Sequence, residues 1–254
     1  MSRLRPDLRA LDSDPGPGFC YSDESGFCHF ASGFGPLLIA FDSNIVSYLE
    51  VHGRSIIDDE PAVDVDPKLQ AELDALAQLL EVWRTRDIRF IAVPQIVRDF
   101  ERQPPIALQE QRRESCLRII EAMSYQVIHD DVGETLAHLT KTVRPVGDQL
   151  ALEVDTTTLL KPLDAQLVRE AIACDVDVFL TNDKQLRSAV RRLRLPIHAL
   201  SPVELMERFA RENVGPMGED HLNHESCDAA FGLPCDDIGK WGPLFEILEG
   251  EGCG

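Results

Sequence analysis

Leu37-Leu38-Ile39-Ala40-Phe41-Asp42-Ser43-Asn44 is a run of apolar residues stopped by an aspartate and two small polar residues. An apolar run without alternation predicts a strand buried on both faces, and the Asp-Ser-Asn stop predicts the start of a helix. The same arrangement returns at Asp177-Val178-Phe179-Leu180-Thr181-Asn182-Asp183. Open parallel α/β sheets bind their ligands at the carboxyl ends of the strands. Carboxylates delivered to that edge predict a divalent cation and hydrolytic chemistry on phosphate esters.

Outward from these two segments the chain alternates between strand and helix. A helix is predicted over Asn44 to Val51, then a polar loop from His52 to Asp66 that Pro67 closes. Pro67 opens an amphipathic helix with Leu69, Leu73, Leu76, Leu80 and Trp83 on one face. Arg89 to Val93 is a second strand, followed by a helix from Pro94 to Glu101 that Pro104-Pro105 ends. A helix over Ile106 to Met123, a strand over Tyr125 to Ile128 and a helix over Asp131 to Val143 follow. Between Gly147 and Leu160 the run Thr156-Thr157-Thr158 weakens any helical reading. The pattern then continues with a helix over Pro162 to Cys174, strands at Val178 to Leu180 and Ile197 to Leu200, and helices over Lys184 to Leu193 and Pro202 to Phe209. Strands separated by helices predict a three-layer α/β/α sandwich around a central, mainly parallel sheet.

The ends differ from this body. Residues 1–36 are rich in Gly, Pro, Ser and Asp, with Phe19, Tyr21, Phe27, Phe30 and Phe34 among them, and are expected to form an irregular arm. Residues 37–211 form the expected domain. Residues 212–254 hold ten acidic residues and one basic one, an acidic tail either partly disordered or docked through Trp241, Leu244, Phe245, Ile247 and Leu248.

The chain has 254 residues, enough for one sizeable core. A net charge of -19 argues against a generic polyanion-binding surface, although the tail carries -9 of it. Seven scattered cysteines do not form a secreted disulfide framework, so most are expected to be free thiols. No apolar stretch is long enough to span a bilayer and the start lacks a signal-peptide core, so no membrane partner and a cytoplasmic location are expected.

Four segments in order resemble the PIN-domain nucleases, a family that includes toxin ribonucleases and RNA-processing enzymes. They are the opening strand with Asp42 and Asn44, Val93-Pro94-Gln95-Ile96-Val97-Arg98-Asp99, Leu163-Asp164-Ala165-Gln166-Leu167-Val168, and Phe179-Leu180-Thr181-Asn182-Asp183. The resemblance spans roughly 37–209 and leaves both ends outside. It implies a metal-dependent endoribonuclease in which Asp42, Asp99, Asp164 and Asp183 are catalytic and hold Mg²⁺ or Mn²⁺, supported by hydrogen bonds from Asn44 and Thr181. It implies RNA as substrate. A second copy of the chain in a homodimer, an antitoxin or another protein is the partner class to be expected. At the second position many family members have Glu where this chain has Asp99, and Glu101 competes for the role.

Elementary chemistry leads the same way. Carboxylates crowded into a small volume repel, and their charged forms persist only beside a cation. An all-oxygen donor set suits a hard ion that activates water and engages phosphate. Lys184 and Arg187, in the first turn after Asp183, are placed to meet a phosphate backbone. The plainer alternative is that Asp42 and Asp183 are helix N-caps and that Asp164 serves the helix dipole.

Two other functions use the same residues differently. A phosphatase using Asp42 as nucleophile needs a second acid two residues later, where this chain has Asn44. A non-catalytic PIN-like scaffold that binds RNA or protein fits the acidic net charge. Separately, His221, His224, Cys227 and Cys235 have donors suited to Zn²⁺, at a spacing that matches no familiar zinc module.

Overall fold

The computed structural model describes residues 37–58, 61–85, 88–101, 107–124, 159–174, 176–211 and 244–248. The elements are β1 (Leu37–Phe41), α1 (Ser43–Ile57), α2 (Pro67–Thr85), β2 (Ile88–Ile91), α3 (Pro94–Glu101), α4 (Ala107–Ser124), α5 (Pro162–Ala173), β3 (Val178–Leu180), α6 (Lys184–Arg192), β4 (His198–Leu200) and α7 (Pro202–Arg211). A short helix α8 covers 244–248. The expected strand at 125–128, helix at 131–143 and stretch at 147–158 lie outside the described residues, as do the arm, the four His and Cys residues of the tail and Trp241.

The strands form one sheet in the order β2-β1-β3-β4. Every pairing is parallel, with Ala40 opposite Ile91 on one side and Phe179 on the other, and with Phe179 opposite Ala199. All residues of β1 and β3 are buried, as expected for strands covered on both faces. Strand β4 at the sheet edge is exposed at His198 and buried at Ala199. The core is continuous across strands and helices, and Phe90 stands edge-on to Phe41 and Trp83 with ring centroids 6.1 and 5.2 Å away.

Local chemistry explains the element starts. Asp66 Oδ1 accepts from the Lys68 and Leu69 N–H groups, capping α2 ahead of Pro67. At α7 the cap is reciprocal: Ser201 Oγ accepts from Glu204 N–H, and a Glu204 carboxylate oxygen accepts from Ser201 N–H.

Helix α1 differs most from expectation. It runs on to Ile57, where a polar loop from His52 was expected. The apolar face Ile45, Leu49, Gly53, Ile56 continues at helical spacing through Gly53, so burial outweighs the glycine. Gly53 is also where α8 approaches, since Leu244 and Leu248 of α8 are buried in the same core as α1.

Among the described residues no helix is long and apolar enough to cross a membrane.

Candidate functional site

Strand order decides what meets at the carboxyl edge. The chain passes from β1 to β2 on one side of the sheet, then returns to place β3 on the other side of β1. The order therefore reverses between β1 and β3, the point where open α/β sheets form a ligand crevice. Asp42 follows β1, and Thr181, Asn182 and Asp183 follow β3. Asp42 N–H donates to Leu180 O at 3.0 Å, so the two strand ends are joined before their side chains meet.

Asp42 is the N-cap of α1 and is only 7% exposed. Its Oδ1 accepts from the Ser43 N–H at 2.7 Å and the Ser43 hydroxyl at 3.3 Å. Its Oδ2 accepts from Asn44 Nδ2 at 2.6 Å and Thr181 Oγ1 at 2.7 Å. Asn44 Oδ1 in turn accepts from Asn182 N–H at 3.1 Å, and Thr181 Oγ1 accepts from Asp183 N–H at 3.1 Å. Asn44 and Thr181 thus hold the end of β1 to the turn after β3.

Asp183 is the N-cap of α6, with Oδ1 taking the Gln185 and Leu186 N–H groups at 2.7 and 3.1 Å. Asp164 lies in the first turn of α5, where it accepts from the backbone of Lys161. Asp99 lies within α3, where Gln95 Nε2 donates to its Oδ1. Asp42 and Asp183 therefore serve as helix caps, as the plainer alternative has it.

Electrostatics ties the set together. Burial pushes the Asp42 carboxyl above its ordinary value against the hydrogen bonds from Thr181 and Ser43, and the charge of Asp164 adds to the rise. Burial likewise raises Asp164; Lys161 opposes the rise, and the charges of Asp183 and Asp99 reinforce it. Asp164 is thus the member whose charge environment reaches each of the other three. Glu101, the competitor of Asp99, is exposed and its charge acts on Arg113 of α4.

Among the described residues, no three His, Cys, Asp or Glu side chains are gathered closely enough to hold a metal ion. The donor chemistry nevertheless fits a hard cation. It is all oxygen, it carries mutually repelling charge, and Oδ2 of both Asp99 and Asp183 accepts no hydrogen bond from the described residues.

One expected placement changes. Arg187 does not stand beside Lys184 on the solvent side: it is buried, with Nε 2.9 Å from a Glu204 carboxylate oxygen and Nη1 donating to Thr181 O at 2.9 Å. A guanidinium on this helix face is drawn inward because the turn carbonyl and Glu204 both accept there. Lys184 is exposed. Asp177, which opens the second apolar run, lies at the amino end of β3 and accepts from Leu38 N–H at 2.9 Å, far from the carboxyl edge.

Three participants carried no signal specific enough to find. Tyr48, one turn beyond Asn44, accepts from Asn182 Nδ2 at 2.7 Å; only its i+4 spacing from Asn44 marks it. Gln95 and Glu170 are buried and joined across helices, and nothing in local periodicity pairs them.

No protein-family model matches the chain, and comparison with curated proteins and with solved structures finds no match.

Proposed function

We propose that this chain is a PIN-like, metal-dependent endoribonuclease with a three-layer arrangement about its parallel sheet. The observation that carries this proposal is the joining of Asp42 to Thr181 and Asn44 at the switch point, with Asp183 in the same turn. In this proposal Asp42, Asp99, Asp164 and Asp183 hold Mg²⁺ or Mn²⁺. Bound there, such an ion would supply a water of lowered pKa and would neutralise charge developing on the phosphate.

The protein's own groups do the rest. Ser43, Asn44 and Thr181 keep the Asp42 carboxylate in one orientation. Asp183 spends Oδ1 on its cap and keeps Oδ2 for the site. Asp99, Asp164 and Asp183 are each partly exposed, so a ligand from solvent can reach them. Lys184, exposed beside Asp183, meets the phosphate backbone, while Arg187 holds the turn by its bond to Thr181 O.

The purified chain with single-stranded RNA and Mg²⁺ or Mn²⁺ is expected to cleave internally, and EDTA to abolish cleavage. Asp42→Asn is expected to cost on the order of 100-fold or more in rate. Cleavage that survives EDTA rules out the metal mechanism.

One observation favours a second function, that of a non-catalytic RNA- or protein-binding scaffold. Both carboxylate oxygens of Asp42 already accept two protein donors each, which fills about four lone-pair sites. A scaffold is expected to bind RNA in an anisotropy titration and to leave it intact under every divalent metal.

A further inference from the structure

Glu170 is a carboxylate with no place in the aspartate set, yet it is 5% exposed in the midst of the fold. It stands on α5, the helix that carries Asp164, and faces α3, the helix that carries Asp99. One carboxylate oxygen accepts from Gln95 N–H, a first-turn donor that α3 cannot satisfy itself. The other accepts from Arg98 and from Gln166 Nε2, the latter at 2.6 Å.

The bonds continue in one direction. Arg98 donates through Nε and Nη2 to Gln95 Oε1 at 3.2 and 3.1 Å. A guanidinium has donors only, so it selects the carbonyl end of the Gln95 amide and turns the NH₂ end away. That NH₂ end donates to Asp99 Oδ1. Glu170 orients Arg98, Arg98 orients Gln95, and Gln95 holds Asp99.

The pair joins a buried Glu170 to a partly exposed Arg98, and such an ion pair is weak evidence of a purely stabilising role. What this pair supplies is direction. We propose that Glu170 is a positioning residue that, through Arg98 and Gln95, sets where Asp99 stands relative to Asp164. The proposal rests on the metal-dependent function proposed above.

The test is Mn²⁺ titration of the full chain, followed by electron paramagnetic resonance of the free ion, for wild type, Glu170→Gln, Gln95→Leu and the double variant. Supporting groups behind metal ligands typically contribute 10- to 100-fold in affinity, so each single variant is expected to weaken Mn²⁺ binding by about 10-fold or more. The double variant is expected to lose no more than the worse single, because both break one chain of bonds. Gln95→Leu leaves the Glu170–Arg98 pair intact and decides the matter if Glu170→Gln does not fold. Wild-type affinity in Gln95→Leu, or additive losses in the double variant, overturn the positioning role while leaving the metal site standing. Wild type that binds no Mn²⁺ overturns both.

Discussion

Thr181 Oγ1 donates to Asp42 Oδ2 at 2.7 Å, joining the ends of two neighbouring parallel strands across 139 residues of chain. Thr181 is fully buried and Asp42 nearly so. The hydroxyl also accepts from Asp183 N–H, so one oxygen links two of the four aspartates. Thr181→Val keeps the shape and removes that oxygen. Leaving a buried carboxylate short of a donor costs about 1–3 kcal/mol, which is the expected loss in urea unfolding. Thr181→Ser, which keeps the hydroxyl, is expected to recover most of it. A Val variant within about 0.5 kcal/mol of wild type, the usual scatter of neutral substitutions, contradicts this account.

The aspartate set predicts an inverted pH dependence. Asp42 and Asp164 are both held above the ordinary value of 3.8, chiefly by burial. Between that value and their folded values the folded chain binds more protons than the unfolded chain. Their contribution to stability is thus complete below 3.8 and declines as pH rises through the folded values. Asp164→Asn removes one of these charges and keeps an oxygen for the Lys161 backbone. Thermal melts from pH 4 to pH 7 are expected to show a smaller decline in the variant and a higher melting temperature at pH 7. A lower melting temperature at pH 7 refutes the assignment.

Gly53 and Leu248 are in close contact, and their substitutions are expected to couple. A Cβ on Gly53 would stand 2.5 Å from Leu248 Cδ2, 3.2 Å from Cγ and 3.3 Å from Cβ. Within a helix, Gly→Ala ordinarily gains about 1 kcal/mol. Here the overlap offsets that gain, so Gly53→Ala is expected to be no more stable than wild type. Leu248→Ala alone is expected to cost about 2 kcal/mol, the lower end for a buried leucine. In that background Gly53→Ala recovers its gain of about 1 kcal/mol. A four-member cycle of urea midpoints measures this, and an equal effect of Gly53→Ala in both backgrounds argues against the contact.

Cys116 and Cys174 are free and buried, with thiols pushed by burial up to about 11 and about 12. The thiolate is the reactive form, so both are protonated and inert at pH 8. Residue-resolved iodoacetamide labelling is expected to leave both unmodified in the folded chain and to modify both in denaturant. Rapid labelling of either in native buffer contradicts its burial.

Much of the fold was legible locally. The unbroken apolar runs 37–41 and 178–180 are buried strands because an open parallel sheet has no solvent face on which to place polar residues. Asp42 and Asp183 mark helix starts because a side-chain oxygen there satisfies backbone N–H groups. The length of α1 was not legible, because the polar stretch from His52 hides a buried face, Gly53 and Ile56, whose packing partner at Leu248 is distant in sequence.

By itself the sequence determined the buried strands at 37–41 and 178–180, the caps Asp42 and Asp183 and where the carboxylates fall along the chain, since periodicity and capping act over a few residues. Tertiary structure alone decided that β3 lies beside β1, that Asp177 supports the amino edge while Asp183 stands at the carboxyl edge, that Arg187 turns inward to Glu204, and that Glu170 reaches Arg98 and Gln95. Each of these is a choice of hydrogen-bond partner, and a buried donor or acceptor takes whichever partner folding brings within reach. Residues adjacent in the chain do not reveal that partner when it lies on another element.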